Sequence, residues 1–299
     1  MFTARPASTP SGAPGGLAPE DAALTAAVLT LALTGDFSDL ERRIISLFRD
    51  QYPRLSPLDE ATFLSKLDSA VLRVQSGNLT ANAAGFVSGA LIPALPTPDD
   101  RLGTYRLVFA LAMADLNLNQ AETNFLQTLR QYSGIDGTQF DTSEQTVLTE
   151  FQPLHRAIAA AALGLMVVTA DGKAEESELQ DMRNSRSLLE PLGQLDDTQF
   201  QLIWDLSLVV HDRFLLDLAA RTDFVTNVVA NLLSSREVRY QAFRYAASVA
   251  TADGDIAQSE LDMLKEVLHA LGMRDEVGDK LFEEFMARVV TIDGQPRPQ

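Results

Sequence analysis

Residues 169–178 read TADGKAEESE, and residues 251–260 read TADGDIAQSE. Each sets an aspartate seven residues before a glutamate: Asp171 with Glu178, Asp253 with Glu260. A third phrase, MADLNLNQAE (113–122), sets Asp115 and Glu122 at the same spacing. A degenerate fourth, ALTGDFSDLE (32–41), has Thr34 and Glu41 in their place. Paired carboxylates around a loop are suited to two kinds of chemistry. They can offer oxygens to a hard divalent cation such as Ca²⁺, Mg²⁺ or Mn²⁺. Alternatively, they can accept backbone N–H groups. The aspartate would do so in an Asx-type turn. The glutamate would do so at the third position of the following helix, where it also favours the helix dipole by about 0.3–1 kcal/mol.

Both readings are open on the residues alone. Ser38-Asp-Leu-Glu41 and Asn119-Gln-Ala-Glu122 are capping-box patterns. An aspartate at a helix C-terminus opposes the dipole, so an Asx turn or a cation has to compensate. The spacing is not that of an EF-hand, because only Asp253 and Asp255 suggest its early ligands and the glutamate falls too near. One Asp and one Glu supply at most four of the roughly 6–8 oxygens that Ca²⁺ takes. Loop carbonyls, water, Asp255 or Glu175 would supply the rest, in a weak site of about 10⁻⁴–10⁻³ M. Ligand count places such a cation at Asp171/Glu178 or Asp253/Glu260, with Asp115/Glu122 as a third candidate, rather than at Thr34/Glu41. The further acids Glu175, Glu176, Asp181, Asp255 and Asp262 read mainly as solvated helix faces.

Other chemistry is sparse. The chain has no cysteine, which removes disulfides, thiolate nucleophiles and Cys-ligated zinc. No phosphate-binding glycine loop, H-E-x-x-H or G-x-S-x-G is present. His155, His211 and His269 are isolated from one another and read as surface or partly buried helix residues. Trp204, in FQLIWDLSLVV (200–210), reads as core. Carboxylate pairs leave a metal-assisted hydrolase as a weak third reading, with no pair singled out. The net charge is −17, with 41 acidic and 24 basic residues. Such a surface repels phosphate backbones, so nucleic acid is not an expected partner, whereas cations and basic protein surfaces are.

The elements that must position these residues follow from the spacing. From Thr34 to Asp115 is 81 residues, from Asp115 to Asp171 is 56, and from Asp171 to Asp253 is 82. First to third is therefore 137 and second to fourth 138: a two-motif unit of about 140 residues, present twice in tandem. Apolar residues at helical spacing precede each phrase (Tyr105, Val108, Phe109, Ala112; Phe243, Ala246, Ala247, Ala250). Others follow it (Phe125, Leu126, Leu129; Leu261, Leu264, Val267, Leu268). The expected fold is all-α, with two tandem helical domains at 19–150 and 151–290, each of two helix-turn-helix pseudo-repeats. No strand is expected. Residues 1–18 read as a disordered arm and 291–299 as a tail. Gly172 and Gly254 fit left-handed helix ends. Ser56-Pro57 and Ser234 or Ser235 mark helix starts. The longest apolar run, 157–170, is too short to span a bilayer, and the N-terminus has no apolar leader, so a cytoplasmic location is expected.

An apolar helix ending in A-D-G, then an apolar or small residue, a glutamate and a Leu-patterned helix resembles the TerB-like (tellurite-resistance TerB) domain. The resemblance is carried by Asp115–Glu122, Asp171–Glu178 and Asp253–Glu260 and by extension covers two tandem domains over 19–290. Thr34 in place of Asp and Leu116 in place of Gly depart from it. It implies an all-helical fold with acidic clusters that bind divalent cations. It also implies a role in bacterial stress response through protein assemblies rather than catalysis. The rival reading is a purely structural scaffold, with the hairpin acids as caps and the connecting segments 57–95 and 196–235 as its working surface.

Overall fold

The computed structural model describes residues 16–35, 37–170, 176–215, 217–251, 255–273, 275–292 and 295–296. The fold is all-α. Helices of seven residues or more are numbered in chain order. They are α1 (Pro19–Ala32), α2 (Asp39–Phe48), α3 (Glu60–Ser76), α4 (Pro98–Ala112), α5 (Gln120–Ser133) and α6 (Gly137–Glu150). Then come α7 (Gln152–Val168), α8 (Glu176–Ser185), α9 (Asp197–Val210), α10 (Leu218–Phe224), α11 (Arg236–Ala250), α12 (Gln258–Ala270) and α13 (Glu276–Met286). The chain divides into two compact units, Met1–Met113 with Leu118–Val147, and Ala114–Asn117 with Leu148–Gln299. The expected arm falls largely on residues 1–15, outside the described residues.

In the first unit α1 is the central helix. Residues Ala22 to Leu31 are buried on every side, against α3 and α4. A helix that is apolar all round has to be covered all round. Asp100, at the start of α4, is 5 % exposed. It accepts from Arg54 Nε at 2.5 Å and Nη2 at 3.0 Å, from the Thr97 hydroxyl at 2.8 Å and from the Tyr52 hydroxyl at 3.3 Å. Burial alone would raise this carboxyl's pKa, but the Arg54 fork and the Thr97 hydroxyl outweigh it and hold it low.

In the second unit α7 is the central helix, with Ala157 to Val168 buried against α9, α11 and α12. Its small residues allow that approach. A Cβ built at Gly164 would lie 2.7 Å from Met182 Cε and 2.9 Å from Tyr245 Cε1. The Tyr245 hydroxyl donates to the Met182 carbonyl at 3.2 Å.

Corresponding contacts recur in the two units. Arg49 lies 5.3 Å over the Phe63 ring and pairs with Glu60 at 2.9 Å. Arg186 lies 5.3 Å over Phe200 and pairs with Asp197 at 2.7 Å. The offset, Arg49 to Arg186, is 137. Further on, Arg101 donates to the Leu95 and Ser133 carbonyls at 2.9 and 2.8 Å. Arg239 does so to Leu233 and Leu271 at 2.8 and 3.0 Å, at an offset (Arg101 to Arg239) of 138. Gly134 and Gly272, at the same offset, are both left-handed, with φ of 67° and 70°. A π-helical turn stands before each of these arginines, Val87–Leu91 in one unit and Val225–Val229 in the other.

Three expectations change. Helix α3 starts later than Ser56-Pro57 suggests. Its cap is Asp59, which accepts from the Thr62 N–H at 2.9 Å, because residues up to Leu58 are held in turns. Ser235 does cap α11. Strands are present, if minimal: β1 (Asp255–Ile256), β2 (Thr291–Ile292) and β3 (Gln295–Pro296) form one sheet in the second unit. β1 pairs parallel with β2, and β2 antiparallel with β3, so the start of the expected tail folds back onto the last motif loop.

Candidate functional site

Three motif glutamates, Glu41, Glu122 and Glu260, share one geometry. Glu41 Oε2 accepts from the Ser38 N–H at 2.8 Å, and Ser38 Oγ accepts from the Leu40 N–H at 3.1 Å. Glu122 Oε2 accepts from the Asn119 N–H at 3.0 Å, and Asn119 Oδ1 accepts from the Glu122 N–H at 2.9 Å. Glu260 Oε2 accepts from the Ala257 N–H at 2.8 Å. Alanine has no side-chain acceptor to return, so α12 carries only half of the box. Glu122 and Glu260 are almost fully buried, at 2 % and 5 % exposed. Each satisfies a backbone donor that the first helical turn leaves without an intrahelical partner. Asn119→Ala is expected to cost about 1 kcal/mol in urea unfolding, since it removes an N-cap acceptor. A neutral result would remove the capping function from this residue.

Asp115 lies three residues past the last residue of α4, Ala112, and, with residues 114–117, belongs to the second unit. Its Oδ1 accepts from the Asn117 N–H at 3.2 Å, an Asx turn, and its Oδ2 accepts from Arg213. Arg213 sits in a π-helical turn, His211–Leu215, that continues α9. The turn and the arginine compensate the unfavourable position of an aspartate at a helix C-terminus. Burial pushes the Asp115 carboxyl above its usual range, with Arg213 acting in the opposite direction. Leu116, where the other phrases have Gly172 or Gly254, takes the left-handed conformation itself, with φ of 67°. For a residue with a Cβ that costs roughly 1–2 kcal/mol.

The other acids are placed as follows. Asp171 and Asp253, with Gly172 and Gly254, lie outside the described residues. Glu178 is in α8, and its side chain lies outside them too. The backbone of Asp255 is in β1, and its Oδ1 accepts from the Thr291 hydroxyl at 2.6 Å. Asp262 accepts from Lys265 Nζ at 3.0 Å on an exposed face. Among the described residues no three Asp, Glu or His side chains converge as a metal-ligand group. The oxygens of Asp115, Glu122 and Glu260 named above already accept from an arginine or from backbone amides.

Two histidines are buried, contrary to expectation, because they fall on inward faces. His211 Nε2 is 2.7 Å from Thr169 Oγ1, and that hydroxyl donates to the Leu165 carbonyl at 2.7 Å. On its other side, His211 Nδ1 lies 3.2 Å from Asp212 Oδ1. His155, in the first turn of α7, is 3 % exposed, and among the described residues its Nε2 has no hydrogen-bond partner. Burial pulls its pKa down to about 4. Trp204 is buried, as expected.

Sequence reasoning missed Arg213 altogether. It lies 98 residues from Asp115, and no local pattern signals the pairing.

Among the described residues no single helix is long and apolar enough to cross a membrane. No solved structure matches the chain. Residues 157–280 match the family model described as tellurite resistance protein TerB. The match runs from α7 into α13 and takes in both TADG phrases, so this part of the chain is similar to TerB, an all-helical family.

Proposed function

We propose that the protein is a non-enzymatic helical interaction module of the TerB type, which binds protein partners in a bacterial stress response such as tellurite resistance. We place it in the cytoplasm. We also propose that residues 19–150 are a second, diverged copy of the domain matched at 157–280. The paired contacts of Arg49 and Arg186, and of Arg101 and Arg239, support that reading.

One observation carries the functional reading. Glu41, Glu122 and Glu260 each use a carboxylate oxygen to close a helix N-terminus. Acids held in that way stabilise hairpins and leave the outer helix surfaces to do the binding. The test is the size of the native assembly. In a gently prepared lysate the chain is expected to elute well above the position of the purified protein, in a complex that survives EDTA. Co-elution with the purified protein would overturn the reading.

A second reading keeps a weak divalent-cation site at Asp171/Glu178 or Asp253/Glu260. Two things favour it: both phrases retain Asp and Glu, and the Glu260 carboxylate is buried beside its loop. A cation there would make up its coordination from loop carbonyls and water.

A further inference from the structure

We propose that the pocket between α8 and α9 binds a small free carboxylate that carries a hydrogen-bond donor beside the acid group, of the size of an amino acid or a dipeptide. This goes beyond the interaction-module reading and does not rest on it. The pocket has a volume of about 530 Å³, within the roughly 300–1,000 Å³ of small-ligand sites. Gln180, Arg183 and Asn184 line it from α8, and Phe200 and Gln201 from α9. Arg186 and Asp197 complete the lining, paired at 2.7 Å, with the guanidinium 5.3 Å over the Phe200 ring.

The first unit shows that the fold does not impose this lining. At the offset of 137, Gln180, Arg183, Asn184 and Gln201 stand where the first unit has Arg43, Ser46, Leu47 and Leu64. The arginine–acid pair and its ring recur there as Arg49, Glu60 and Phe63. Leu47 and Leu64 are exposed apolar side chains. The second unit has amides in place of both and a guanidinium in place of the Ser46 hydroxyl. All four differences fall on one pocket.

The hydrogen-bonding groups left over define the ligand. Arg183 is half-buried and, among the described residues, forms no ion pair, although the chain carries −17. The lining holds two guanidiniums and one carboxylate, Asp197, so an anion is favoured there. Asn184 Oδ1 accepts from Gln180 Nε2 at 3.2 Å, which leaves Asn184 Nδ2 as a donor. Gln201 Nε2 donates to Asp205 Oδ1 at 2.9 Å, which leaves Gln201 Oε1 as an acceptor. A guanidinium takes a carboxylate through two parallel hydrogen bonds, and the Gln201 oxygen takes an N–H or O–H of the same molecule. Protein anchors are aromatic or aliphatic and fill apolar pockets. This lining is mainly polar, so it suits a small polar molecule rather than a partner's anchor.

The test is an NMR titration of the full chain with four probes: glycylglycine, its C-terminal amide, acetate and pentaglycine. The amide lacks the carboxylate, and acetate lacks the N–H. Glycylglycine is expected to shift signals of residues 180–186 and 197–201. It should bind about tenfold or more tightly than the amide or acetate, each of which gives up hydrogen bonds of the pocket. Arg183→Gln should weaken glycylglycine binding about tenfold, since it removes the cation that holds the carboxylate. The pair Asn184→Leu and Gln201→Leu, which installs the first unit's side chains, should weaken it similarly and keeps the test intact where Arg183→Gln fails to fold. Absence of saturable shifts with glycylglycine, equal binding of the dipeptide, its amide and acetate, shifts elsewhere, or binding indifferent to these substitutions would overturn the proposal. So would pentaglycine binding about tenfold more tightly than glycylglycine, which would assign the pocket to an extended segment of a partner protein.

Discussion

Arg239→Ala is expected to destabilise the second unit by about 4.5 kcal/mol, from three lost hydrogen bonds to a charged donor at roughly 1.5 kcal/mol each. The guanidinium reaches the Leu233, Leu271 and Ala230 carbonyls at 2.8, 3.0 and 2.6 Å. Leu233 and Leu271 are the C-caps of the helix Ala230–Leu232 and of α12. Carbonyls at helix ends lack intrahelical partners, and a cation there is favoured by both dipoles. Without Arg239, acceptors of buried residues lose their donor, which adds a desolvation penalty. Arg239→Lys should recover only part, since one ammonium cannot form the same planar fork. Arg101→Ala, with two such bonds, should cost less. Urea unfolding monitored by circular dichroism measures all three. A loss below about 1 kcal/mol for Arg239→Ala would show that the carbonyls find water instead.

The second large effect is on pH. His155 has a folded pKa pulled down to about 4 from 6.5, because burial disfavours its charged form. The unfolded chain takes up the proton below about pH 6.5, and the folded chain resists until about pH 4. The stability associated with a neutral His155 is thus complete above pH 6.5 and is lost as pH falls toward 4. The expected loss is about 2 kcal/mol by pH 5 and about 3 kcal/mol by pH 4. His155→Leu should flatten this part of the curve and leave stability near pH 7 unchanged or higher, because the buried Nε2 has no hydrogen-bond partner to lose among the described residues. Chemical denaturation of both proteins from pH 7 to pH 4 checks it. Parallel curves for the two would contradict the assignment to His155.

What the sequence reveals and what it conceals follow from the range of each interaction. Helix starts are legible where the cap lies within three residues, as with Ser38 and Glu41, Asn119 and Glu122, and Ser235. Asp59 was hidden because Ser56-Pro57 offers an equally good local pattern, and only the turns that hold residues 52–58 decide against it. The 137 and 138 offsets are visible in the phrases and reappear in the arginine contacts. The Asp115 partner is not legible, since a π-helical turn brings Arg213 from 98 residues away. Nor is the conformation of Leu116, which takes the left-handed turn without glycine. Two-residue strands have no alternation to detect, so the pairing of Thr291–Ile292 with Asp255–Ile256 leaves no pattern. The burial of His155 depends on what covers α7, which periodicity does not specify.

The claim that the hairpin acids serve as helix caps is tested most directly by thermal melting of the full chain with and without divalent cations. A site of about 10⁻³ M would add about 1.4 kcal/mol in about 10 mM cation, which is a rise of roughly 3–5 °C for a chain of this size. The capping account predicts that Ca²⁺, Mg²⁺ and Mn²⁺ leave the wild-type melting temperature unmoved. A rise of that size, reversed by EDTA and absent in Asp253→Asn, would contradict it and establish the cation site instead.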